Sequence, residues 1–150
     1  MVDWVRPGAP GWEREEAALL AAARRAMAGA YAPYSGFKVG AAVRCADGRV
    51  FTGANVENAA YPVSLCAERV AVPAAITASA RDLVALAVAC SGADPCPPCG
   101  MCRQVLFEFA PDLYVVVTGT DGPASRYILS RDLMPFAFGP AQLRSGADSR

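Results

Sequence analysis

The sequence predicts one α/β domain, a mixed five-stranded sheet in a three-layer α/β/α plan. Three observations predict it. Helical stretches alternate with apolar ones along 150 residues, a length that fits one domain. LVALAVAC (83–90) and LYVVVT (113–118) are apolar without interruption, as in strands buried on both faces. Asp47-Gly48 separates two strand-like runs, a hairpin signal.

Residues 1–11 contain Pro and Gly and read as a loose lead-in, as does 144–150 at the other end. Glu13 to Gly29 reads as a helix, rich in Ala, Leu and Arg, with acidic residues first and Arg24 and Arg25 late. Strands follow at 37–46 and 49–54. A second helix spans Ser64 to Ala80; Pro73 inside it cannot donate to the carbonyl four residues back and predicts a kink. After the strand at 83–90, DPCPPC makes an extended turn and Cys99–Phe109 a third helix. A strand at 113–118 and a last one at Arg126–Ser130 complete the order α-β-β-α-β-α-β-β.

Composition narrows the partners. Hydrophobic residues make up 54% of the chain and charged ones 19%, with 14 basic against 14 acidic. Basic residues are scattered, so no stripe for nucleic acid or a membrane surface stands out, and a neutral small molecule suits the chain better. No apolar run reaches the ~18 residues that span a bilayer, and the start lacks a signal-peptide pattern. The cytoplasm is therefore the expected location, where disulfides are rare and six cysteines become ligands, buried thiols or spares. Histidine is absent. Proton transfer near neutral pH then falls to a carboxylate, a thiol or metal-held water.

Two motifs carry chemistry. Cys66-Ala67-Glu68-Arg69 and Pro98-Cys99-Gly100-Met101-Cys102-Arg103-Gln104 both sit at helix starts, where free amides and the helix dipole favour thiolates. Cys99 and Cys102 share a helical face, and Cys66 completes a three-thiolate zinc site. Three ligands leave the fourth tetrahedral position for water, as catalytic sites do. Arg69 offsets the surplus negative charge. Glu68 and Cys66 diverge by about 200° on a regular helix, so both face the metal only if Cys66 lies at the helix boundary. A single CxxC is often structural zinc; Cys-Ala-Glu followed by Pro-Cys-x-x-Cys resembles the signature of zinc deaminases, and that resemblance implies a catalytic site. Cys96 forms an alternative CxxC with Cys99 but lies in an extended proline segment and reads as a spare thiol. Cys45 and Cys90 read as buried small hydrophobes.

At these motifs the sequence resembles the cytidine deaminase family, in its small homotetrameric form acting on free nucleosides. The resemblance runs from about Tyr31 to Phe138 and rests on YAPYSGFKVGAA (31–42), GANVENAAYPVSLCAERVA (53–71), PCGMCRQ (98–104) and LMPFAFGP (133–140). It implies one Zn²⁺ per subunit on Cys66, Cys99 and Cys102, and Glu68 as the proton carrier. It implies Phe37 stacking on the pyrimidine, and Asn55 and Glu57 bonding the ribose hydroxyls. Ala67 would border the substrate, and Arg69 and Gln104 would stand behind the ligands. Ala59, Tyr61 and Phe138 would act across subunit boundaries of a homotetramer with shared sites. The implied reaction is hydrolytic deamination of cytidine and deoxycytidine in pyrimidine salvage. Pro73 and Cys96 depart from the family pattern. Three other readings stay open: a blasticidin-type aminonucleoside deaminase, a polynucleotide-editing deaminase, and a non-catalytic zinc module with Cys96 as fourth ligand. The absence of His and of a basic track disfavours the second.

Overall fold

The computed structural model describes residue 5 and residues 7–147. Its sheet has the order β2-β1-β3-β4-β5. β1 (Val39–Cys45) and β2 (Val50–Ala54) form the hairpin, with Gly48 at φ 88 in the turn. β3 (Leu83–Cys90) runs antiparallel to β1 and parallel to β4 (Tyr114–Thr118); β5 (Ser125–Ile128) closes the edge antiparallel to β4. A parallel pair needs a crossover, supplied by α3 (Gly100–Phe109) between β3 and β4.

The two faces of the sheet are sorted by alternation. Ala41, Val43, Leu86, Val88, Val115 and Val117 point to one face, against α2 (Ala67–Thr77) and Leu106 of α3. Ala42, Ala85, Ala87, Ala89 and Val116 point to the other, beneath Trp12, Leu19 and Ala23 of α1 (Trp12–Met27). This is the expected three-layer arrangement. The α1 face is nearly all alanine, which lets helix and sheet approach closely. Gly40 marks the tightest point: a Cβ there would lie 2.1 Å from the Ala23 carbonyl oxygen and 2.5 Å from the Met27 amide nitrogen. Gly53 does the same under α2, where a Cβ would meet the Ala67 carbonyl at 2.6 Å. Glu16, buried in α1, accepts from Arg126 Nη2 at 2.6 Å and from the Tyr114 hydroxyl, tying α1 to β4 and β5.

Several boundaries differ from those read in the sequence. The lead-in ends in a turn that closes on Trp12, whose amide donates to the Ala9 carbonyl. The first strand starts at Val39, because the Phe37 amide and carbonyl bond to side chains instead of a ladder. Residues 61–63 form a 3₁₀ turn, and Leu65 bridges Val56, so the second helix begins only at Ala67. It continues through Pro73, which sits on its exposed side. The last strand stops at Ile128, where the Asp132 carboxylate takes the Ile128 amide at 2.6 Å and a π-helical turn, Leu129–Leu133, begins. The tail carries a fourth helix, α4 (Pro140–Ala147), where 144–147 read as a loose end. Residues 1–4, 6 and 148–150 lie outside the described residues. No helix among the described residues is long and apolar enough to cross a membrane.

Replacing Gly40 by Ala should push α1 off the sheet and cost about 2–3 kcal/mol, read as a lower denaturant midpoint. A midpoint equal to that of the wild type would contradict the close approach.

Candidate metal centre and substrate cleft

Strand directions collect the site at one end of the sheet. β3 finishes at Cys90 opposite Val39, the start of antiparallel β1, and β2 finishes at Ala54 opposite Gly40. The chain leaving β3 enters α3, while α2 runs back to β3 from the opposite direction. Both helix N-termini therefore meet beside the segments 35–39 and 55–57. Cys66 is the N-cap of α2, with extended backbone (φ −74, ψ 154), and Cys99 the N-cap of α3 (φ −67, ψ 168). Cys66 thus lies at the boundary that lets its thiol and the Glu68 carboxyl share one site.

The Sγ atoms of Cys66, Cys99 and Cys102 all lie within 4.8 Å of one another. Cys66 and Cys99 are 3.8 Å apart. Tetrahedral zinc with Zn–S bonds of ~2.3 Å sets its sulfurs about 3.8 Å apart, so the donor set fits the ion. The Cys66 thiol is lowered to about 5, chiefly by the hydrogen bond from Cys102, against burial, with help from Cys99 and Arg69. Cys102 is pushed the other way by the same bond and by burial, so it keeps its proton while Cys66 is ionised. Arg69 donates from Nη2 to the Ser64 carbonyl at 2.7 Å, which holds the guanidinium beside Cys66. Arg103 donates to the Pro98 carbonyl at 2.6 Å and the Leu133 carbonyl at 2.8 Å, bracing the Cys99 loop.

A cleft of about 350 Å³ opens onto the thiols. Phe37, Asn55, Glu57, Ala67, Glu68 and Cys96 are among its walls. Glu68 is 5% exposed. Burial raises its carboxyl above the ordinary glutamate range, and the Cys66 charge adds to this. A larger hollow of about 550 Å³ lies at the opposite end of the sheet; its charged lining residues are Asp82 and Asp112, and no cysteine borders it. The chemistry therefore belongs to the smaller cleft.

Comparison with known proteins fits this geometry. The family described as "Cytidine and deoxycytidylate deaminase zinc-binding region" matches residues 13–118. The chain belongs to this family. It is 46% identical over 121 residues to a cytidine deaminase of Halalkalibacterium halodurans, covering 80% of this chain and 91% of that one. A cytidine deaminase of Mycobacterium tuberculosis is 45% identical, covering 78% and 84%. The crystal structure of a cytidine deaminase from Burkholderia pseudomallei superposes with a TM-score of 0.78 at 47% identity, covering 81% of this chain and 98% of that one.

Within this deaminase-family framework, the structure gathers Cys66, Cys99, Cys102, Glu68, Ala67, Phe37, Asn55 and Glu57 around one cleft. Asn55 is already engaged: Nδ2 donates to the Phe37 carbonyl and Oδ1 accepts from the Val39 amide, both at 2.8 Å. One donor and one acceptor site remain on it. Ala59, Tyr61 and Phe138 do not line this cleft. Tyr61 is exposed on the rim, edge-on to Tyr34 at 5.9 Å. Phe138 is exposed, and Gln104 donates to its carbonyl at 3.0 Å. Cys96 borders the cleft but falls outside the thiol cluster; Cys45 and Cys90 are buried at strand ends. Ser35, unnoticed in the sequence because SGF reads as an ordinary turn, also lines the cleft.

Zinc added to metal-free protein at pH 7 should release at least one proton per ion, the one Cys102 retains, measured with an indicator dye. Cys102→Ser should lower the zinc content, and Cys96→Ser should leave one zinc per chain by metal analysis. Loss of zinc in Cys96→Ser would make Cys96 a ligand.

Proposed function

We propose that this chain hydrolyses cytidine and deoxycytidine to uridine and deoxyuridine, releasing ammonia. The observation that carries the proposal is Glu68, buried and held protonatable beside three clustered thiols in a cleft of nucleoside size. The names of the relatives, all cytidine deaminases, support the same substrate.

Cys66, Cys99 and Cys102 would hold the zinc. When bound, zinc supplies the Lewis acidity that makes water a nucleophile at neutral pH. Glu68 takes a proton from the attacking water and delivers it to N3 of the pyrimidine, leaving C4 more electrophilic. It then carries the second proton to the departing amino group, which leaves as ammonia. One carboxylate serves twice because it regains a proton between the two transfers. Its raised affinity for protons suits this traffic.

Phe37 stacks on the base, and Asn55 and Glu57 hold the sugar hydroxyls, with Ala67 against the reacting ring. Charge neutrality suits a free nucleoside over a polymer. The exposed Tyr61 and Phe138 support a homotetramer in which these side chains, with Ala59, complete a neighbour's site. The reaction belongs to pyrimidine salvage, in the cytoplasm.

Glu68→Gln should retain zinc and lose turnover of cytidine by about 10³-fold or more, followed by the change in cytidine absorbance. Turnover close to wild type would remove Glu68 from its role.

A further inference from the structure

Ser35 stands between the two groups assigned to the base and the sugar. Its hydroxyl donates to Glu57 Oε1, and its amide donates to Oε2 at 3.2 Å. The Tyr34 amide adds a third bond to Oε2 at 2.8 Å. The same hydroxyl accepts the Phe37 amide at 3.0 Å. Both backbone polar groups of Phe37 are thus held, the amide by Ser35 and the carbonyl by Asn55. Its ring edge lies close over Gly92, where a Cβ would meet Cε2 at 3.0 Å.

A glutamate on an exposed loop has several rotamers. Three donors from residues 34 and 35 select one and aim the carboxylate along the cleft wall. Each carboxylate oxygen accepts about two bonds, so Oε1, with one donor, keeps room for a hydroxyl. The Ser35 hydroxyl has one proton, given to Glu57, and a lone pair, given to Phe37. A shift of the carboxylate therefore reaches the Phe37 backbone through one oxygen.

We infer that Ser35 is a positioning residue that sets Glu57 for the sugar and Phe37 for the base together, coupling recognition of the two halves of the nucleoside. The inference rests on Glu57 as the sugar acceptor. Because Ser35 touches neither the thiols nor Glu68 in any of these bonds, its loss should act on binding more than on the chemical step.

Four proteins test it, with cytidine as substrate and zinc content confirming a folded site: wild type, Ser35→Ala, Glu57→Gln and the double variant. Ser35→Ala should raise KM about tenfold with kcat within about twofold. Ser35→Thr, which keeps the hydroxyl, should return KM to within about threefold of wild type. On the Glu57→Gln background, Ser35→Ala should add less than about twofold. By hydrogen exchange, the Phe37 amide should exchange about tenfold faster in Ser35→Ala. A normal KM in Ser35→Ala, fully multiplicative effects in the double variant, or unchanged exchange at Phe37 would each overturn the coupling. An unchanged KM in Glu57→Gln alone would instead overturn the sugar role of Glu57, and the coupling with it.

Discussion

Three thiols within 4.8 Å of one another are the demanding feature of this molecule, because thiolates repel and two of these are half or fully buried. Helix starts relieve the repulsion. Cys66 and Cys99 each occupy an N-cap, and Cys102 the first turn of α3, where unpaired amides favour negative charge. Both helix starts must then meet at one point. The sheet arranges this: α2 runs back into β3, and α3 leaves the far end of β3 to cross over to β4. Gly53 lets α2 lie close to β2. The cleft, its buried carboxyl and the loops around it follow from that meeting.

The opposite face serves the site indirectly. Small side chains on β1 and β3 bring α1 down onto the sheet, and the Glu16–Arg126–Tyr114 group ties it to the far edge. A scaffold covered on both faces leaves its strand ends free to carry function. Residues 35–39 and 55–57 are such ends, where the Asn55 and Glu57 side chains bond to neighbouring backbone in addition to the main-chain bonds. The Val56–Leu65 bridge ties this wall to the residue that precedes Cys66.

The strands were legible because burial on two faces leaves an unbroken apolar run; LVALAVAC matches β3 from end to end. The thiol cluster was legible because ligand chemistry restricts residue type and spacing. Other features depend on contacts distant in sequence and leave no local trace. Leu129 and Ser130 read as the end of the last strand, yet Asp132 captures the Ile128 amide and turns the chain. Ser35 looks like any turn serine; only the fold brings Glu57, 22 residues away, to its hydroxyl. For Tyr61 and Phe138 the family resemblance is the one source of a role, and the chain leaves both side chains exposed.

The proposed chemistry depends on the metal having three sulfur ligands and one open position beside Glu68. X-ray absorption on the zinc-loaded protein counts those ligands directly. Three sulfurs and one lighter oxygen or nitrogen donor are the expected shell. Four sulfurs would close the open position, bring Cys96 into the site and make the centre structural, contradicting a deaminase mechanism here.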